Sequence, residues 1–273
     1  MKISFIGGGN MATALLAGLV GKLAAGPDIH VVDPNQDALQ RLDTKYGVSV
    51  AREITARVAE SDVIVLSVKP QQMREVAAAL RAQLAGGNPL VLSIAAGIRG
   101  ADLSRWLGGY GAIVRCMPNT PALIGQGVTG MVAMPGASEE QKSAADGILR
   151  AVGKTVWLDK EELLDPVTAV SGSGPAYVFF FLEAMQQAAL ELGLSAEQGR
   201  QLALATFTGA AQLAAQSDEP VEVLRQRVTS KGGTTYAAIT SMEQSGVKEA
   251  IVAAIKAASA RGREMGDELG KDA

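Results

Sequence analysis

Lys2-Ile3-Ser4-Phe5-Ile6-Gly7-Gly8-Gly9-Asn10-Met11-Ala12, at the head of the chain, decides the fold. An apolar strand stops at Gly7 and a helix pattern starts at once, through Thr13-Ala14-Leu15-Leu16-Ala17-Gly18-Leu19. Gly7 and Gly9, with small Ala12 in the third place, give the G-x-G-x-x-A form of the dinucleotide fingerprint: a tight turn, room for a pyrophosphate, and close packing of helix on strand. Phosphates would rest on the unpaired N–H groups at the helix start, which makes Ile6, Gly7, Gly8, Gly9, Asn10 and Met11 candidate cofactor residues. Glycines also serve any strand-to-helix turn that needs positive φ. The context favours the cofactor, because His30-Val31-Val32-Asp33 reads as a second strand ending in an acid. A carboxylate there would hold the adenosine ribose hydroxyls.

Outward from this stretch, β and α patterns keep alternating. Gln36 to Tyr46 is helical in pattern and Val48-Ser49-Val50 is a short strand. Val63 to Val68 is a nearly continuous apolar run, as expected of a parallel strand buried on both faces. It ends in Lys69-Pro70-Gln71, before a helix over Met73 to Leu84. Leu90 to Ile94 and Ala112 to Cys116 repeat the form, ending in Ala95-Ala96-Gly97 and in Met117-Pro118-Asn119-Thr120-Pro121. In an open α/β sheet the ligand lies outside the carboxyl ends of the strands. Ser67, Val68, Lys69 and Pro70, with Ala95, Ala96 and Gly97, therefore join the cofactor set. Val128 to Ala133 and Lys154 to Leu158 read as further strands around a helix from Glu139 to Ala151.

Beyond Leu158 the pattern is helical only: Pro175 to Leu192, Ala196 to Ala215, Val221 to Val228, Thr235 to Ser245, and Lys248 to about Glu268. Val178, Phe181, Leu182, Met185, Ala189 and Leu192 follow the i, i+3, i+4 rule of a packed helix. Ser173 is placed to cap that helix, with Pro175 in its first turn and Gly193 just past its end. The fold class is thus α/β: an N-terminal Rossmann dinucleotide-binding domain over residues 1–160 and a C-terminal all-helical domain over residues 161–273. Helices with apolar, alanine-rich faces must bury them, either in an intrachain bundle or by self-association.

Composition sets the outer limits. At 273 residues, with 48% apolar and 19% charged residues, the chain is ordinary globular protein. Twenty-five Lys plus Arg against 28 Asp plus Glu, without a basic stripe, argues against a nucleic acid partner. The single cysteine, Cys116, cannot form an internal disulfide, and no Cys/His cluster offers ligands to a metal. A reducing cytoplasm fits, with no membrane span and no apolar signal region expected.

Two further stretches single out the chain: Ser171-Gly172-Ser173-Gly174-Pro175-Ala176-Tyr177, and Leu224 to Thr235, which contains Val228-Thr229-Ser230-Lys231-Gly232-Gly233-Thr234-Thr235. Both read as small, hydroxyl-rich turns that open helices, suited to an anion or to plain N-capping. With the fingerprint and the strand-end loops, they resemble pyrroline-5-carboxylate reductase over almost the whole chain. Many members of that family carry proline where this chain has Lys231.

The resemblance implies reduction of the C=N bond of 1-pyrroline-5-carboxylate to L-proline by NADPH or NADH, the last step of proline biosynthesis. It implies a homodimer interlocked through the helical domain, larger rings such as a decamer, and an active site that needs the dimer. It also carries over residue roles: Thr235 as the catalytic hydroxyl on the ring nitrogen, Ser230, Gly233 and Thr234 as receivers of the carboxylate, and Glu161 near the substrate amine. Glu161-Glu162 equally suits a solvated helix start, and Lys231 an exposed turn. The only histidine, His30, lies beside the adenosine end and is read as structural. An imine suits a site without a strong acid or base, since it can arrive as an iminium that already accepts hydride, leaving the protein to position reactants and exclude water.

For the coenzyme, Asp33 argues for NAD while the family commonly takes NADP. Asn35 could reach a 2′-phosphate, but Arg41 lies too far along its helix to clamp one. Two other functions fit the same outline: a hydroxyacid dehydrogenase, with Lys231 its one plausible base, and a dinucleotide-binding sensor without turnover.

Overall fold

The apolar runs become strands because each is short, β-branched and flanked by turn residues. In the computed structural model, which describes residues 1–271, they build one sheet of eight strands. In chain order these are β1 (Ile3–Ile6), α1 (Asn10–Leu19), β2 (Ile29–Val32), α2 (Gln36–Tyr46), β3 (Ser49–Ala51), β4 (Val63–Leu66), α3 (Met73–Arg81), β5 (Leu90–Ser93), α4 (Gly100–Trp106), β6 (Ile113–Met117), β7 (Gly127–Ala133), α5 (Glu139–Arg150) and β8 (Gly153–Trp157). The strands lie in the order β3-β2-β1-β4-β5-β6-β7-β8. β3 to β6 are parallel; β7 runs antiparallel to β6, and β8 parallel to β7. The order 3-2-1-4-5-6 is that of a dinucleotide-binding sheet, with its switch point between β1 and β4.

β1, β2, β4 and β5 are buried along their whole length. They separate two apolar clusters, one containing Phe5, Leu15, Leu16 and Ile148, the other Ile64, Leu66, Met73 and Leu80. Sheets covered on both faces need such unbroken apolar strands.

The helices that follow are α6 (Leu164–Val167), α7 (Gly174–Glu191), α8 (Ala196–Gln216), α9 (Val221–Arg227), α10 (Thr234–Gln244) and α11 (Val247–Leu269). By packing, the chain forms two compact units: Met1–Ser173 with the stretch from Ala257 onward, and Gly174–Lys256. The expected division at residue 160 follows the change of element type; packing instead keeps residues 161–173 and the end of α11 with the sheet. Within that first unit, Met265 and Leu269 of α11 pack on Gly97, and Arg99 binds Asp267 at 2.5 Å.

The second unit has little core of its own. Leu182, Gly199 and Ala203 are its buried residues on α7 and α8, where an added Cβ on Gly199 would lie 2.9 Å from the Ala189 methyl. Phe181 and Phe207 meet edge to face at 5.6 Å between ring centres. Phe179 and Phe180 are nonetheless 60% and 73% exposed in the single chain, and Leu192 83%. An apolar surface of this kind marks an interaction site.

Ser173 does not cap α7. Its backbone is helical (φ −84°, ψ −19°) and its N–H closes a π-helical turn, Thr168–Gly172, by donating to the Thr168 carbonyl. The helical path has already begun upstream, so the serine is not at a helix start. Gly193 does end α7, at φ +93°, with the Leu194 N–H reaching back to the Ala189 carbonyl.

Candidate active site

The cofactor candidates that follow β1, β2 and β4 gather where the fingerprint ends, and those that follow β5 do not. Gly7 has φ +104° and its N–H donates to the Val32 carbonyl at 2.8 Å. Ser67 locks the turn from β4: its N–H binds the Ile6 carbonyl at 2.9 Å and its hydroxyl the Gly7 carbonyl at 2.8 Å. A Cβ on Gly7 would sit 2.7 Å from the Ser67 carbonyl oxygen. Gly9 is the N-cap of α1, with ordinary angles (φ −73°) and no side chain capping the first turn; a Cβ there would meet nothing within 4 Å. The N–H groups of Asn10, Met11 and Ala12 lie in that first turn and have no partner within the helix. Ala12 is fully buried, as close helix–sheet packing requires.

Ile6, Gly7, Gly9, Asp33, Ser67, Val68 and Lys69 line a cavity of about 610 Å³, together with Asn35, Arg52, Ile54 and Gln72, while Asn10, Met11 and Pro70 lie outside its lining. Open space over Gly9 and uncapped amides at a helix N-terminus fit a dinucleotide pyrophosphate. Gly8 is buried behind the turn, and its N–H donates to Asp33 Oδ2 at 2.7 Å. Asp33 Oδ1 accepts the Asn35 N–H at 2.8 Å, so both carboxylate oxygens already have partners. Ala95, Ala96 and Gly97 follow β5 and lie outside the lining of this cavity; Gly97 adopts φ +71° against α11. Pro70 starts a short 3₁₀ turn after Lys69.

Glu161 is held on the first unit. Its Oε1 accepts from the Gly100 N–H at the start of α4 and from the Arg115 guanidinium of β6, each at 2.5 Å. Arg115 is 7% exposed, an arginine the sequence reading passed over because it is embedded in an apolar strand. Asp165 faces the same cluster: burial raises its pKa, opposed by Arg115, Arg99 and Arg263. Removing one partner of a buried pair leaves the other charge uncompensated, at a cost of about 3–5 kcal/mol. Glu161→Ala is therefore expected to melt well below the parent protein in a thermal scan. An unchanged melting temperature with a raised KM for the substrate would instead make the carboxylate a substrate ligand alone.

The motif at Ser171 is built inward. The Ser171 and Thr168 hydroxyls donate to the carbonyls of Val167 and Leu164, at 3.0 and 2.7 Å. Asn119, from the loop after β6, donates to the Ser171 carbonyl at 3.1 Å and accepts the Val128 N–H at 2.9 Å. These hydroxyls fasten the π turn, so the helix-opening turn read at this motif, whether for an anion or for N-capping, is replaced by a continuous helical path.

On the second unit, Ser230, Gly233, Thr234 and Thr235 come together at the start of α10. Gly232 (φ +76°) reverses the chain, the Gly233 N–H donates to the Ser230 carbonyl at 3.0 Å, and Gly233 becomes the N-cap. No side chain caps α10, which leaves first-turn amides and the Thr234 and Thr235 hydroxyls without partners among the described residues. Thr235 is half-buried; Lys231 is exposed.

His30 is 5% exposed, with Nδ1 on the Ser49 hydroxyl at 3.0 Å and Nε2 buried without a partner. Burial first, and then the Arg57 charge, lower its pKa. Cys116 is buried, and burial pushes its thiol pKa up. Among the described residues no group of His, Cys, Asp and Glu could hold a metal ion, and no helix is long and apolar enough to cross a membrane.

Comparison with known proteins matches the two parts of the chain to two different family models. Residues 161–265 match the family model described as pyrroline-5-carboxylate reductase dimerisation, and residues 2–97 that described as NADP oxidoreductase coenzyme F420-dependent. The chain is 45% identical to the pyrroline-5-carboxylate reductase of Pseudomonas aeruginosa, covering 99% of this chain and 98% of that one. Among solved structures it is similar to a pyrroline-5-carboxylate reductase from Coxiella burnetii (TM-score 0.90, 39% identity, 97% and 98% of the two chains). It is also similar to the Plasmodium falciparum pyrroline carboxylate reductase with NADP bound (TM-score 0.87, 29% identity, 97% and 98%).

Proposed function

The chain belongs to the pyrroline-5-carboxylate reductase family, and we propose from this that it reduces 1-pyrroline-5-carboxylate to L-proline with NAD(P)H, using Thr235 as the catalytic hydroxyl. The reading is carried by the presence in one chain of a complete dinucleotide turn at Gly7–Met11 on the first unit and an uncapped, hydroxyl-rich helix start at Gly233–Thr235 on the second. A bound nicotinamide would supply hydride to the C=N carbon of the iminium, whose ring nitrogen already carries its proton, so that the transfer leaves the neutral secondary amine and the oxidised coenzyme.

The protein's share of the work is positioning. The Thr235 hydroxyl holds the ring nitrogen, while Ser230 and the amides of Gly233 and Thr234 take the carboxylate, which a helix N-terminus favours. Glu161 orders the start of α4 through Oε1 and keeps Oε2 for the substrate amine. Neutral amides and hydroxyls are enough for an acceptor that already carries positive charge, because what remains is to bring donor and acceptor together without water.

The exposed Phe179 and Phe180 support burial against a second copy of the chain, and we extend this to a site completed across the dimer and to larger rings, while the lone, unpaired Cys116 supports a reducing, cytoplasmic location. Residues 1–160 serve the coenzyme in this scheme, and residues 161–273 the substrate and the dimer.

The test is oxidation of NADPH and NADH, followed by absorbance, with pyrroline-5-carboxylate and separately with a set of 2-oxo acids. Oxidation with the imine alone is expected. Oxidation with oxo acids alone would make the chain a hydroxyacid dehydrogenase, and silence with both would leave a dinucleotide-binding sensor.

A further inference from the structure

We propose that Arg52 and Asn35 form a receptor for the 2′-phosphate of the coenzyme, so that the chain selects NADPH over NADH. The inference rests on the dinucleotide reading of the cavity over Gly7 and Gly9.

Strand register places Arg52. Val32 of β2 lies beside Ala51 of β3, and the Asp33 N–H donates to the Ala51 carbonyl at 3.1 Å. Arg52 therefore leaves the sheet next to Asp33, on the adenosine side of the turn and two strands from Gly7. It lines the cavity, is exposed, and makes no hydrogen bond or ion pair among the described residues. A guanidinium presents five donors in a planar fork suited to phosphate.

Asn35 supplies the second element. Its Oδ1 accepts from the N–H groups of Asp37 and Ala38, at 3.0 and 3.1 Å, as the N-cap of α2. That capping fixes the amide's orientation and leaves the Nδ2 donors to the cavity that Asn35 lines. The eleven-residue helix α2 adds its positive end at the same place.

Asp33, the acid that would otherwise favour a bare ribose, is bonded through both oxygens to Gly8 and Asn35 amides, and so serves the turn. Glu53 and Glu75 share the cavity wall. If Arg52 only offset their charge, its loss would weaken every anionic nucleotide alike. Lys69, the other cation on the wall, follows β4 on the far side of Gly7 and is not beside Asp33.

The experiment is calorimetric titration of the full chain with adenosine 2′,5′-bisphosphate and with 5′-AMP, in the parent protein, Arg52→Ala and Asp33→Asn. In the parent, the bisphosphate is expected to bind at least about tenfold more tightly. Arg52→Ala is expected to remove that difference and leave 5′-AMP affinity unchanged. Asp33→Asn, which loosens the turn, should weaken both nucleotides together. A preference that survives in Arg52→Ala, an equal loss for both nucleotides in that variant, or a parent that does not prefer the bisphosphate would overturn the assignment while leaving the dinucleotide site intact. Failure of the parent to bind either nucleotide would overturn the dinucleotide reading itself.

Discussion

Thr235→Ala is expected to lower turnover by about 10–100-fold while NADPH affinity stays at the parent value. The size follows from a hydrogen bond to a charged partner, worth roughly 1.5–3 kcal/mol. Thr235 is the second residue of α10, half-buried, with a hydroxyl that no group among the described residues engages. The substitution removes no internal contact of that hydroxyl, and alanine is the better helix former, so the fold should persist. Thr235→Ser, which keeps the hydroxyl, should recover most of the rate. Steady-state kinetics with pyrroline-5-carboxylate, alongside coenzyme titration by fluorescence, separates the two effects. Parent-like turnover in Thr235→Ala would take this residue out of the mechanism.

Gly7→Ala and Gly9→Ala should fail in different ways. At Gly7 an added methyl meets the Ser67 carbonyl at 2.7 Å and the backbone has φ +104°, so both the clash and the conformation oppose it. A strained backbone of this kind costs about 1–3 kcal/mol and overpacking about 1–3 more. The melting temperature is then expected to fall by on the order of 10 °C, at roughly 2–4 °C per kcal/mol for a chain of this size. At Gly9 the backbone is open to any residue and the methyl points into free space. Stability should move by less than about 0.5 kcal/mol, while coenzyme affinity drops sharply because the methyl occupies the pyrophosphate's path. Thermal melts and NADPH titration of both variants check this. A Gly9→Ala protein that binds NADPH like the parent would show that no phosphate passes over this turn.

Much of this molecule was legible in order along the chain. Buried parallel strands such as Val63–Leu66 announce themselves as unbroken apolar runs, and α7 was marked at its end by Gly193. The dinucleotide turn was readable because glycine at φ +104° and a small residue at Ala12 are local requirements of one backbone path. Other features were invisible for a definite reason. Arg115 looks like an interruption in a strand until Glu161, far along the chain, arrives to neutralise it. Ser173 has the residues of a cap around it, yet the helical path starts upstream through a π turn held by Asn119, a contact between distant segments.

Sequence by itself determined the α/β order, the turn at Gly7–Met11, the helical second half and the hydroxyls gathered around the start of α10, since each depends on residues within a few positions of one another. Tertiary structure alone decided that Asp33 serves its own turn, that Arg52 stands beside it without a partner among the described residues, and that Glu161 is engaged with Arg115. Those outcomes depend on strand register and on which charges share a low-dielectric neighbourhood, and neither is encoded at a fixed spacing along the chain.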